Sequence, residues 1–530
     1  MDTTSAMTSS GGNGGTWGNA APPPPRLRVS LARVLVALAA IGAIIFGGIH
    51  FGQAAVAETR VPGPTAFAAY VDVTAVPIEH FEVPAGPAHN NAILSFVVAA
   101  TDDPCVPSWG TYYSMAGADA SIDLSRRIAQ LRATGGDVRV SFGGASNSEL
   151  STSCTDATKL TAAYASVVDY YHLTSIDLDL EGPALGSAAT SARRAAAIKA
   201  LQVRSAETGK PLRIWLTLPS STQGLTDQGF AEVQTMLDAG IDLAGVNAMT
   251  MDFGPSKDDS ASMASAVQTA AEQVHRQLGV AYDASNHGLD SNALWNKLGI
   301  TPMIGQNDTP NEQFTITDAT TVNAFALANG VGMLSMWSLN RDASCTLPTP
   351  VVTTVVQVDC SGVDQAGASF QAVLSAGTKD LQFVTPKTPS PSASAARILP
   401  DDPAKSPFPI WDAECDFPAG TRIVWHHNVY KAKWWTHGTA PDSPVVHEED
   451  SPWRLIGPVL PGDHPAPLPT VPAGTYPEWS AAAIYNTGAR VQIDKVPYQA
   501  KWWTQGDKPG TGSPSASPWT MIMPTVTDLG

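Results

Sequence analysis

The chain has 530 residues, too many for one ordinary core, with 15% charged residues and a formal net charge of -17. That acidity argues against a nucleic-acid backbone or an anionic membrane face as partner, and leaves neutral polymers such as polysaccharides open. Its 42 prolines and 44 glycines concentrate in the N-terminal tail and beyond about residue 385, which marks linkers there.

In chain order, Arg26, Arg28 and Arg33 precede an uncharged apolar run from Val34 to Ile49, and Ala55-Val56-Ala57 follows as a small-x-small cleavage pattern. Residues 1–57 therefore read as a tail with an export signal, and the mature protein is expected to be extracellular and monomeric. An uncleaved anchor over residues 34–57 is the alternative, and the only expected route to a membrane.

From about residue 65 to 375, β-rich runs alternate with helical patterns. The strand candidates are Phe67–Val73, Ile93–Ala99, Val138–Gly144, Ser175–Glu181, Leu212–Leu218, Gly245–Asp252, Thr301–Gln306 and Met333–Leu339. Helical patterns run over Leu160–Tyr171, Ala188–Glu207, Asp227–Ala239, Ser260–Leu278 and Ala319–Asn329. Eight such units over residues 62–380 predict an α/β fold, a (β/α)8 TIM barrel, rather than an open doubly wound sheet. No glycine-rich phosphate loop favours the open sheet.

Ser-Ile-Asp-Leu-Asp-Leu-Glu at 175–181 carries the chemistry. Side chains alternate along a strand, so Asp177, Asp179 and Glu181 share one face and Ile176, Leu178 and Leu180 the other. In a barrel the apolar set meets the helices and the carboxylates point inward, where neighbouring acids resist joint ionisation. Glu181 lies at the carboxyl end of its strand, where barrel active sites form. A carboxyl held protonated there is suited to donating to a glycosidic oxygen.

There are five cysteines. Cys345 with Cys360 would close a loop after the last barrel strand, and Cys105 with Cys154 would join two loops on one face, leaving Cys415 over; reduced thiols are the alternative. No spacing suggests a metal site, and no cofactor is expected.

A Pro/Ser-rich linker is expected over 381–407. Beyond it Trp411, Gly420, Tyr430, Lys433, Trp434, Trp435, Gly438 and Pro441 recur 68 residues later as Trp479, Gly488, Tyr498, Lys501, Trp502, Trp503, Gly506 and Pro509. Trp453 recurs as Trp519, two residues early. Two small all-β modules are expected, at 408–458 and 476–524, with a linker at 459–475. Trp434, Trp435, Trp453, Trp502, Trp503 and Trp519 are the candidate sugar-stacking residues. Trp411 and Trp479 read as core, and strand alternation predicts one outward tryptophan in each adjacent pair.

Residues 176–181 resemble the DxxDxDxE signature of glycoside hydrolase family 18, the chitinases. Ser141-Phe-Gly143-Gly144, Met249-Thr-Met251-Asp252 and Trp337 resemble that family's SxGG, MxYD and sugar-floor tryptophan, in the same order on strands three, six and eight. The AKWWT core of each repeat resembles chitin-binding modules of the 5/12 type. Two departures stand out: Thr174 replaces the first Asp and Met251 replaces the Tyr.

The resemblance implies a secreted chitinase cutting β-1,4 links between N-acetylglucosamine units with retention, the substrate supplying its own nucleophile. Chitin or N-acetylglucosamine oligomers would then be its partners. It implies Glu181 as acid/base, Asp179 as partner of the acetamide N–H, and Asp177 as the residue that tunes Asp179. Met249, Asp252, Trp337, Tyr70, Ser141 and Gln306 are the candidate substrate-binding residues. Tyr70 or Asn247 would replace the missing tyrosine hydroxyl, and Phe253 or Gln306 would shape the site. A non-catalytic chitin-binding protein and an endo-β-N-acetylglucosaminidase on the same barrel are the competing readings. With no large insertion between strands seven and eight, a shallow, endo-acting cleft is expected.

Overall fold

The computed structural model describes residues 62–83, 91–345, 356–379 and 400–522, apart from 414, 444, 446, 466–469 and 512–516. The expected export signal and most of the 381–407 linker lie outside the described residues.

The barrel strands are Ala66–Phe67 with Ala69–Asp72, then Ala92–Ala99, Val138–Gly143, Ser175–Asp179, Arg213–Ser221, Leu243–Met249, Leu298–Thr301 and Met333–Leu334. Each pairs in parallel with the next. The two segments at 66–72 act as one strand broken at Ala68. The first pairs with Met333–Leu334 and the second with the strand starting at Ala92. Backbone bonds from Ala68 N–H to the Leu334 carbonyl and from Tyr70 N–H to the Met336 carbonyl, both 3.1 Å, carry the seam past the break. Counting 66–72 once gives eight strands.

The seventh strand lies at Leu298–Thr301, earlier than the expected 301–306. Pro302 has no N–H for the ladder, so the regular strand ends there, and an isolated parallel bridge, Met303 with Trp337, continues the pairing. Gly305–Gln306 instead pairs antiparallel with Gln313–Phe314.

Helices Ala157–Tyr170, Ala188–Glu207, Asp227–Asp238, Met263–Ala284 and Ile316–Asn329 form the outer layer. Each starts at a side-chain cap (Asp156, Ser187, Thr226, Ser262, Thr315) that accepts first-turn N–H groups. No helix separates the first two strands among the described residues. None of the described helices is long and apolar enough to cross a membrane.

Strand alternation sorts the core into two. Ile176, Leu178 and Leu180 join the large cluster between strands and helices. Ala68, Tyr70, Ile93, Trp215 and Met333 form a separate cluster inside the barrel. Gly245 makes room there: a Cβ would sit 2.4 Å from the Trp215 ring.

Disulfides join Cys105 to Cys154 and Cys345 to Cys360; Cys415 belongs to neither. The two C-terminal units share one layout. The first has a three-stranded antiparallel sheet (Arg422–Trp425, Asn428–Ala432, Trp453–Pro458) and a two-stranded one (Asp416–Phe417, Thr436–His437). The second repeats it with Arg490–Ile493, Val496–Ala500, Trp519–Met521 and with Ile484–Tyr485, Thr504–Gln505.

Residues 400–407, expected as linker, partly belong to the first unit: Asp401 accepts the backbone N–H groups of His426 and His427. That unit rests on the barrel. Arg126, on helix Leu124–Ala133, donates to the Pro458 carbonyl at 2.6 Å and pairs with Asp463 at 2.9 Å. Arg422 pairs with Asp123 at 2.6 Å, and Arg454 reaches the His80 ring at 2.7 Å.

Candidate active site

Ser175–Asp179 lies between Val138–Gly143 and Arg213–Ser221, and these neighbours supply the donors its acids need. Asp177 is fully buried and accepts three hydroxyl bonds: from Tyr70 (2.8 Å), Ser141 (2.7 Å) and Thr217 (2.7 Å). Burial raises its pKa; the Arg139 charge and those three donors pull it back.

One pleat higher, Asp179 has a buried Oδ1 without a hydrogen-bond partner. Burial, then Glu181, then Asp177 hold its carboxyl well above the usual range. Glu181 follows where the strand opens, pushed up to about 6 by burial and then by the charge of Asp252. Asp252 is itself raised by burial, against the pull of the Thr309 N–H that its Oδ1 accepts at 2.7 Å.

These acids open into a cavity of about 260 Å³ at the carboxyl end of the barrel. Its lining includes Tyr70, Asp179, Glu181, Met249, Met251, Asp252 and Trp337. Trp337 stacks on Phe96 with centroids 5.4 Å apart and planes at 21°, which fixes an aromatic floor. A larger concavity, about 710 Å³ between helices Ala157–Tyr170 and Ala188–Glu207, lies on the outer wall, and its charged lining residues, Asp169 and Arg204, pair with each other.

Several expected residues sit elsewhere. Ser141 lies beneath the cavity as a donor to Asp177 and does not line it. Gln306 is spent in the 305–314 hairpin, where its amide donates to the Asn307 and Glu312 carbonyls. The Asn247 amide donates to Tyr70 and Thr217, and its oxygen accepts from Thr301, all below the floor. The Tyr70 hydroxyl is engaged by Asp177, so neither residue offers a free replacement for the missing tyrosine hydroxyl. Phe253 is buried in the outer core. Phe96, Thr217, Thr301, Met303 and Asp308 line the cavity without having been expected. Phe96 lies within the strand Ala92–Ala99, where a register irregularity between Leu94 and Val97 breaks the alternation, and Asp308 comes from a connection with no local pattern to read.

In the C-terminal units both tryptophans of each pair face solvent: Trp434 is 45% exposed, Trp435 60%, Trp502 45% and Trp503 56%. The alternation argument fails because the pairs occupy bends between strands. Lys433 and Lys501 lie over the Trp434 and Trp502 rings at 5.1 and 4.6 Å. Trp453 and Trp519, each 3% exposed, are core residues and not a binding face. Their indole N–H groups donate to the Thr439 and Asp507 carbonyls at 2.8 Å.

No family model matches the chain. Over 261 residues it is 35% identical to a probable bifunctional chitinase/lysozyme of Escherichia coli K12, covering 48% of this chain and 28% of that protein. Over 266 residues it is 34% identical to endochitinase 11 of Metarhizium anisopliae, covering 49% and 48%. The chain thus spans less than half the length of the curated relatives it matches. Among solved structures, the catalytic domain of a hyperthermophilic chitinase from Pyrococcus furiosus is 26% identical, with 59% of this chain and 95% of that one covered, at a TM-score of 0.49.

Proposed function

We propose that the chain is an exported glycoside hydrolase that cuts chitin internally, with retention. One observation carries the reading. A carboxyl held up to about 6, Glu181, opens beside the partnerless Oδ1 of Asp179 in a cavity floored by Trp337. The sequence likeness to chitinases over just under half of the chain supports it.

In the first step Glu181 gives its proton to the leaving glycosidic oxygen while the substrate's acetamide carbonyl attacks the anomeric carbon, forming an oxazolinium ion. Asp179 Oδ1 takes the acetamide N–H, which stabilises the positive charge that develops there. At rest Asp177, ionised beneath, leaves the proton of the pair on Asp179, and Asp177 takes that proton as Asp179 turns to the acetamide N–H. Glu181 then takes a proton from water, which opens the ring and restores the original configuration. Asp252 orients the sugar, and Trp337 stacks beneath it.

The exposed tryptophan pairs would hold the polymer. Two weak sites on one strand raise avidity through effective concentration. Export is supported by the two disulfides and by the Arg-flanked apolar run at 34–49.

The product profile from a chitin hexamer tests the reading. Wild type should release shorter oligomers, and Glu181→Gln should bind the hexamer yet lose about 10²–10⁴-fold in turnover. Near wild-type turnover in that variant would refute the assignment.

A further inference from the structure

Beneath the carboxylates lies a buried cation that the mechanism above does not use. Arg139 is 1% exposed and sits on the inward face of Val138–Gly143, two residues before Ser141. Its Nε donates to Ser175 Oγ at 3.0 Å, its Nη1 points at Met333 Sδ at 3.0 Å, and its Cζ lies 4.8 Å from the Trp215 ring centroid. Its Nη2 has no partner. Among the described residues no carboxylate lies within ion-pair distance of it. Of the other buried arginines, Arg126, Arg127 and Arg194 meet Asp463, Glu82 and Glu232 at 2.9, 2.9 and 2.7 Å, and Arg341 donates to the Gln357 and Gln306 carbonyls instead.

A guanidinium in a closed barrel without a contacting anion is costly unless a charge nearby compensates it. The next inward layer supplies one. Asp177 follows Ser175 on the same strand face, about 6.5 Å higher at two residues of strand rise. Asp177 is otherwise faced by Tyr70, Ser141 and Thr217, all hydroxyls, and by Asp179 above. Arg139 is faced by Tyr70, by Asp177 and by Arg213, whose like charge opposes it.

We propose that Arg139 is a positioning residue for catalysis: the buried counter-charge that keeps Asp177 ionised, so that the proton of the inner pair resides on Asp179. It touches no substrate and acts through Asp177. This rests on the chitinase reading only for its kinetic consequence; the electrostatic pairing stands without it.

Two measurements on the full chain test it. The first is a melting cycle with Arg139→Met, Asp177→Asn and the double variant, which needs no substrate. Without Arg139 the Asp177 carboxyl is already neutral, so Asp177→Asn should cost clearly fewer degrees in the Arg139→Met background than in wild type. The second is the pH profile of kcat/KM on a chitin oligomer. Arg139→Met should move the acid limb up by about one to two pH units, within the range that loss of a neighbouring opposite charge gives. Arg139→Lys, which keeps the charge, should leave that limb in place.

Additive melting losses, or a wild-type acid limb in folded Arg139→Met, would overturn the proposal. If Arg139→Met does not fold, the charge-preserving variant decides. Arg139→Lys, which keeps the charge, should then fold and hold the wild-type acid limb, and a lysine variant that folds but loses that limb would assign Arg139 to packing against Ser175, Met333 and Trp215. A wild type that does not cut chitin, with the melting coupling retained, sinks the functional reading alone.

Discussion

Glu181 is suited to the proposed role of proton donor because burial and the Asp252 charge both disfavour its ionised form. Its acid form is needed, so the alkaline limb of kcat/KM should fall near pH 6. Asp252→Asn removes the repelling charge and should move that limb to lower pH; a limb that stays put would detach Asp252 from Glu181. The same shift has a stability sign. Glu181 goes from an ordinary 4.5 to about 6 on folding, which corresponds to about 2 kcal/mol. That stability is present below about pH 4.5 and lost as pH rises through about 6. Glu181→Gln should therefore melt higher than wild type at pH 7 and show a shallower loss of melting temperature between pH 4 and 7. An unchanged slope would mean the carboxyl is not held up. These acids were legible in the sequence because a strand repeats every two residues. Phe96 was not, because a register irregularity between Leu94 and Val97 breaks the alternation of its strand, and Asp308 was not, because it enters the cavity from a connection with no period to read. Gln306 misled because the regular strand ends before Pro302, and the amide is consumed in the hairpin that follows.

At the level of elements, the strand bearing the acids is gripped from two sides. Gly143, at φ +111°, lies so close to the Asp179 carbonyl that a Cβ would sit 2.0 Å from its oxygen. The SxGG pattern thus has a steric cause at this glycine as well as a family likeness. On the other side the turn after Glu181, Gly182–Ala184, is tied down by Arg194, whose Nη2 donates to the Ala184 carbonyl at 2.7 Å. Arg194 is fully buried on helix Ala188–Glu207 between Glu149 and Glu232. Arg194→Met would strand two buried carboxylates and is expected to cost about 3–5 kcal/mol, read from denaturant unfolding. A loss under 1 kcal/mol would show that the triad is not holding this wall together. Nothing in the sequence flagged the triad. Arginines on an amphipathic helix read as a solvated face, and only the fold brings Glu149 and Glu232 to one of them. The helix starts, by contrast, were close to their expected positions because their caps are local chemistry.

For the whole molecule, the repeat was visible in sequence but the unequal placement of its first copy was not. The contacts that seat the first unit, Arg126 with Asp463, Arg422 with Asp123 and Arg454 with His80, use only one residue that recurs, Arg422 as Arg490. Gly457 is the tightest point: a Cβ there would lie 2.5 Å from the Arg126 carbonyl oxygen. Aligned on Trp453 and Trp519, the second copy has Met523 at that place. The two copies should therefore respond differently to removal. Deleting residues 470–530 should leave the barrel's melting temperature nearly unchanged while weakening hydrolysis of insoluble chitin more than of soluble oligomers. Deleting 400–530 should lower the melting temperature as well, because Arg126 and Asp123 lose their partners. Gly457→Met separates docking from mere presence. It keeps both units and their tryptophans but drives a side chain into the Arg126 backbone, so the first unit should swing free. Small-angle scattering should then give a larger radius of gyration than wild type, and the melting temperature should fall toward that of the 400–530 deletion. Wild-type scattering and melting in Gly457→Met would mean that the first unit does not depend on this seat, and that both copies act as independent tethered modules.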